Sequence, residues 1–195
     1  MKNTVKKIAA FLMAVCIVLP ALAGCHGSRI LDPFVMPEEL DLTREHEITF
    51  WAKNDTNVTQ TRIYEKAIED FQKLYPNVKV NLKLYNDYGR IYNDVITNIN
   101  TDSTPNVCIT YPDHIATYKT GNNVVVPLDE LIDDPRYGLG GSEVKFDSPS
   151  RDEVIPEYLN ECVLDDSIFA ITWQEVHDGS VYTFSEIKVS HPSQF

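Results

Sequence analysis

The sequence predicts an α/β fold in which a largely parallel sheet is flanked by helices. Three observations carry that expectation. One segment alternates apolar and polar residues with the period of a strand, and two others are short β-rich or apolar runs. Two further segments repeat apolar residues at the three-and-four spacing of a helix face. They occur in the order β-α-β-α-β, and right-handed crossovers between such units make neighbouring strands parallel.

The first strand is Glu47-Ile48-Thr49-Phe50-Trp51-Ala52, closed by turn-forming residues from Lys53 to Asn57. From Thr59, residues Ile63, Tyr64, Ala67, Ile68, Phe71, Leu74 and Tyr75 share one helix face, and Arg62, Glu65, Lys66, Glu69, Asp70 and Lys73 share the other. Pro76 stops this helix, because proline supplies no backbone donor and disfavours helix in the residue before it. Val78, Val80, Leu82 and Leu84 then alternate with Lys79, Asn81 and Lys83 as a strand with one buried face. After the loop Tyr85 to Gly89, a second helix carries Ile91, Tyr92, Val95, Ile96 and Ile99 on one side. Strand three is Asn106 to Thr110, leading into Tyr111-Pro112-Asp113-His114; Val124 to Val126 is short and apolar, and Pro127 to Ile132 starts a helical turn. Beyond Arg136 a short helix is expected within Pro149–Asn160 and a strand within Ser167–Thr172, while 173–195 fits no period and is left unplaced.

The N-terminus carries a different signal. Lys2, Lys6 and Lys7 precede Ile8 to Ala23, which has no charged side chain, and the run closes on Leu22-Ala23-Gly24-Cys25. Cations before an apolar stretch too short to span a bilayer are the profile of an export signal. The ending resembles a bacterial lipobox, which implies a leader over 1–24, acylation of Cys25 and retention by acyl chains contributing about 0.8 kcal/mol per buried methylene. The expected location is the outer face of a bacterial cytoplasmic membrane. Residues 25–46, punctuated by Pro33 and Pro37 and rich in acids, read as the lipidated cysteine and a flexible tether; 47–172 read as the folded domain.

Composition excludes more than it identifies. The chain has 17 Lys and Arg against 29 Asp and Glu, a formal charge of −12, and loss of the three leader lysines takes it to −15. Such a surface repels nucleic acid, so no nucleic-acid partner is expected. The sequence shows no His/Cys metal spacing, nucleophile elbow or phosphate-binding glycine loop, so neither catalysis nor a cofactor is expected. Cys108 and Cys162 could pair in an exported domain, but two buried free thiols are the simpler reading.

Several phrases in order resemble the N-terminal lobe of the extracellular solute-binding proteins of ABC importers, family 1. They are Ile48-Thr49-Phe50-Trp51-Ala52; the helix ending Ala67-Ile68-Glu69-Asp70-Phe71-Gln72-Lys73-Leu74-Tyr75-Pro76; Val78-Lys79-Val80; Thr104-Pro105-Asn106-Val107; and Val126-Pro127-Leu128-Asp129. The resemblance implies a periplasmic-binding-protein-like lobe of type II that binds a solute, expected to be a sugar such as an oligosaccharide, and hands it to membrane permease subunits. It places ligand contacts in the loops after the first three strands: Trp51, Lys53, Asn54 and Asp55; Asn86, Asp87 and Tyr88; Tyr111, Asp113 and His114. Asp113 is the leading ligand candidate, with helix capping the competing role; Trp51 competes as core, His114 as an ordinary surface histidine, and Asn86 and Asp87 as turn builders. Members of the family are about twice as long, so a second lobe is expected to be mostly missing and solute affinity to be weak. Two other readings stand beside this one: a lipoprotein remnant that binds nothing, and a surface glycosidase using two carboxylates.

Overall fold

The computed structural model of the protein describes residues 31–39, 41–54, 58–99, 101, 103–147, 149–177 and 180–188. The expected leader, Cys25 and Asp55 lie outside them.

β1 (His46–Lys53), α1 (Val58–Leu74), β2 (Val78–Tyr85), α2 (Tyr88–Asn98) and β3 (Val107–Thr110) follow the alternation of periods in the sequence. β1 lies between β2 and β3 and is parallel to both, with Phe50 beside Leu82 on one side and Val107 on the other. Each crossover lays its helix against the sheet. α2 buries Ile91 and Val95 completely, at about 2 kcal/mol apiece. α3 (Pro112–Tyr118) buries Ile115 and Tyr118 beside them. With Trp51, Tyr85 and Cys108 from the sheet they form the main core. Cys108 and Cys162 are buried and are not joined in a disulfide.

β3 is short, and its alignment on β1 has help from side chains. Asn106 is 5 % exposed; its Oδ1 accepts from the Thr49 backbone N–H (2.8 Å) and hydroxyl (3.2 Å), while its own N–H donates to the Thr49 carbonyl (3.1 Å). On the far edge of the sheet, Gln72 Oε1 accepts from Val80 N–H (2.7 Å), so a helix side chain satisfies an edge-strand donor.

The remainder of the chain adds α4 (Asp129–Ile132), a 3-10 turn (Arg151–Glu153), α5 (Pro156–Asn160) and the two-residue strands β4 (Val163–Leu164) and β5 (Ser167–Ile168). β6 (Ala170–His177) and β7 (Ser180–Lys188) then form an antiparallel hairpin that completes the sheet in the order β2-β1-β3-β7-β6, with β7 antiparallel to β3. The sheet is therefore parallel over β2-β1-β3 and antiparallel beyond. β6 runs across the expected boundary at 172, so much of the segment left unplaced by sequence belongs to the sheet.

A second departure concerns the expected tether. Leu31 is 8 % exposed and joins the main core, Phe34 packs on the cluster of Val126, Leu128 and Ile132, and Met36 faces Phe71 and Tyr75. The Leu31 carbonyl accepts from Asn123 Nδ2 (2.7 Å), and the Glu38 carbonyl from Arg136 Nη2. From Leu31 onward the segment is a strap on the domain, because three apolar side chains among its prolines and acids find an apolar surface to bury against.

Candidate functional site

The carboxyl ends of β1, β2 and β3 share one rim, and the loops leaving them meet there. Parallel strands place every βα loop on the same edge, which is where open α/β sheets receive ligands. β1 ends at Lys53, whose Nζ lies 5.2 Å from the centroid of the Tyr88 ring. β2 ends at Tyr85, whose carbonyl accepts from Asn54 N–H (3.0 Å). Tyr88 opens α2 and packs its ring 4.6 Å from that of Tyr111, the residue that follows β3. His114, in the first turn of α3, meets Tyr111 edge-on at 5.5 Å and lies 4.3 Å from the ring of Tyr92. Behind it Thr110 Oγ1 sits 3.1 Å from His114 Nδ1 and 3.2 Å from the buried Tyr118 hydroxyl. The result is an aromatic platform of Tyr88, Tyr111, His114 and Tyr92, backed by polar groups that already have partners.

The structure separates the expected site residues. Lys53, Tyr88, Tyr111 and His114 come together. Trp51 does not offer its ring to a solute: it is 6 % exposed, packed on Tyr85 at 5.3 Å and covered by the Lys83 ammonium at 4.3 Å. Burial in the core wins because β1 is the central parallel strand and Trp51 points to the helix-covered face. Asp87 caps α2, its Oδ1 accepting from Arg90 N–H (2.8 Å), and Asn86 is an exposed turn residue. Asn54 spends its side-chain amide on Thr61 Oγ1 (3.4 Å). Asp113 is exposed in the first turn of α3 and is not its cap: Pro112 starts the helix, so the cap position falls on Tyr111. Asp55 is outside the described residues, as is Cys25.

Two contributors escaped the sequence reading. Tyr92 falls in the apolar stripe of its helix, yet it follows Tyr88 by four residues, the spacing that puts two side chains on one face. Tyr118 stands in the same relation to His114.

Burial holds the His114 imidazole below its ordinary pKa of 6.5, against the opposing pull of the neighbouring Asp113 carboxylate. A group whose folded pKa is depressed stabilises the fold fully above the unfolded value. That contribution is lost as pH falls from 6.5 through the folded value, because the unfolded chain takes up the proton first. Thermal unfolding of the chain from His26 is accordingly expected to show falling stability below pH 6.5, and His114→Gln to flatten that slope. An unchanged slope in the variant would show that His114 is not the titrating group.

Among the described residues no group of three His, Cys, Asp or Glu side chains could hold a metal ion, and every buried side-chain N or O atom has a partner. What the rim offers is aromatic surface with an ammonium at one end.

No family model matches the sequence, and no curated protein is similar to it. Solved structures are similar in fold. An extracellular solute-binding protein, family 1, from Alicyclobacillus acidocaldarius matches at 14% identity and a TM-score of 0.50, over 66% of this chain and 28% of its own. The ABC substrate-binding protein Lmo0181 of Listeria monocytogenes, in complex with cycloalternan, matches at 15% identity and 0.50, over 67% and 29%. The chain has the fold of a part of these solute-binding proteins. It spans under a third of the length of these two structures.

Proposed function

We propose that this chain is a lipid-anchored solute-binding lobe that receives a carbohydrate, an oligosaccharide in particular, and serves an ABC importer at the outer face of the bacterial cytoplasmic membrane. The observation that carries the proposal is the aromatic platform at the carboxyl rim of three parallel strands. Aromatic faces pack on the apolar C–H side of a pyranose, and the Lys53 ammonium beside the Tyr88 ring supplies a donor for its hydroxyls. The cycloalternan complex of the Listeria neighbour is in keeping with such a ligand. The platform faces solvent, with Tyr111 39 % exposed, so a bound sugar leaves much of its surface in water and affinity is weak.

The test is a ¹H-¹⁵N and aromatic NMR titration of the chain from His26 with cycloalternan and linear glucose and mannose oligosaccharides. Shifts confined to Tyr88, Tyr92, Tyr111 and His114, with a dissociation constant on the order of 1 mM, are expected. Silence at those residues across the panel would overturn the carbohydrate reading.

A further inference from the structure

The strap changes how far a lipid anchor would let this domain travel. Its first described residue, Leu31, is seated in the core and held by Asn123, which adopts a left-handed φ of 55° that Asn tolerates better than most residues. This turn lies at the amino-terminal edge of the sheet. A Cβ on Gly121 would stand 2.7 Å from Ile99, just past the end of α2, and α2 starts at the carboxyl end of β2 and runs back from it. The strap enters the fold on the side opposite the platform. Between Cys25 and Leu31 the chain can reach no more than about 20 Å, whereas an undocked segment from Cys25 to His46 could reach about 70 Å.

We propose that docking of Leu31, Phe34 and Met36 sets a short leash, which keeps the amino-terminal edge of the sheet close to the membrane surface and displays the platform on the far side. The inference rests on acylation of Cys25. β1 has eight residues and spans about 26 Å, so the platform stays within about 50 Å of the lipid headgroups. An apolar cavity of about 350 Å³ lies where Phe34, Met36 and Pro37 meet Phe71 and Tyr75.

The experiment uses the full acylated chain in phosphatidylcholine vesicles that carry a rhodamine-labelled lipid. A donor dye goes on Glu65→Cys, an exposed position of α1, while Cys108 and Cys162 are buried from the labelling reagent. Two variants lengthen the leash differently. Leu31→Asp with Phe34→Asp releases the strap, and tryptic cleavage after Arg44 reports that release. A Gly-Ser insertion of about 12 residues before Ile30 leaves the strap in place and adds up to about 40 Å of reach. Energy transfer to the bilayer is expected to fall about two-fold in each, because each gives the domain several times its original reach. Wild-type transfer in both, with the acyl label still on Cys25, overturns the leash alone. Absence of an acyl group on Cys25, read by palmitate labelling against Cys25→Ala, overturns the anchor and the leash together.

Discussion

Alanine in place of Ile91 is expected to destabilise the domain by about 3 kcal/mol and to lower its melting temperature by roughly 10 °C. Ile91 is fully buried at the centre of the contact between α2 and the sheet. Removing three of its carbons loses their transfer free energy and leaves a void that closely packed neighbours fill only in part. The same helix carries Tyr88 and Tyr92 on its rim-facing turns, so the platform should loosen with it and the ring resonances of both tyrosines should broaden. Ile63, 60 % exposed on α1, is the control, and its replacement by alanine should stay within about 0.5 kcal/mol. Circular-dichroism melts of the chain from His26 measure both. A cost at Ile91 no larger than at Ile63 would mean that α2 does not pack on the sheet as described.

Tyr111→Ala is expected to raise the dissociation constant for an oligosaccharide about ten-fold, equivalent to about 1.4 kcal/mol, and Tyr88→Ala to act similarly. These rings pack on each other at 4.6 Å and Tyr111 is the more open of the two, so truncating either removes surface from the platform. Trp51→Phe should leave binding unchanged and cost stability instead, since its ring lies in the core. The NMR titration described above separates the outcomes. Equal binding by wild type and the Tyr88→Ala, Tyr111→Ala double variant would remove the platform from the site.

Most of the fold was legible because its first half obeys simple periods. Val78 to Leu84 can bury one face only as a strand, and the face from Ile63 to Tyr75 can be buried only as a helix. The hairpin from Ala170 was missed, although the sequence holds its signal. In the sequence Asp178-Gly179 stands between two β-rich runs, and such a dipeptide is a hairpin signal. β-branched and aromatic residues surround it, but without the strict alternation that marks Val78 to Leu84. The strap was hidden for another reason: Pro33, Pro37 and four acids between Asp32 and Asp41 give the composition of a spacer, and composition does not register that Leu31, Phe34 and Met36 have partners far away in sequence.

The site was legible only as a set of loops. Strand order placed Lys53, Tyr88, Tyr111 and His114 near one another. Which side chains turn outward depends on burial and on local hydrogen bonds, and these took Trp51 into the core and gave Asp87 to the start of α2.

β3 has only four residues, and its ladder to β1 aligns just Phe50 with Val107 and Trp51 with Cys108. So brief a seam could slide by one position, and a slide would turn Cys108 and Thr110 out of the interior and carry Tyr111 and His114 to the wrong side of the rim. The bonds between Thr49 and Asn106 act as a dowel against that sliding, fixed at the end of the strand remote from the rim. Two polar residues near the bottom of the sheet thereby decide which way the rings at its top will face.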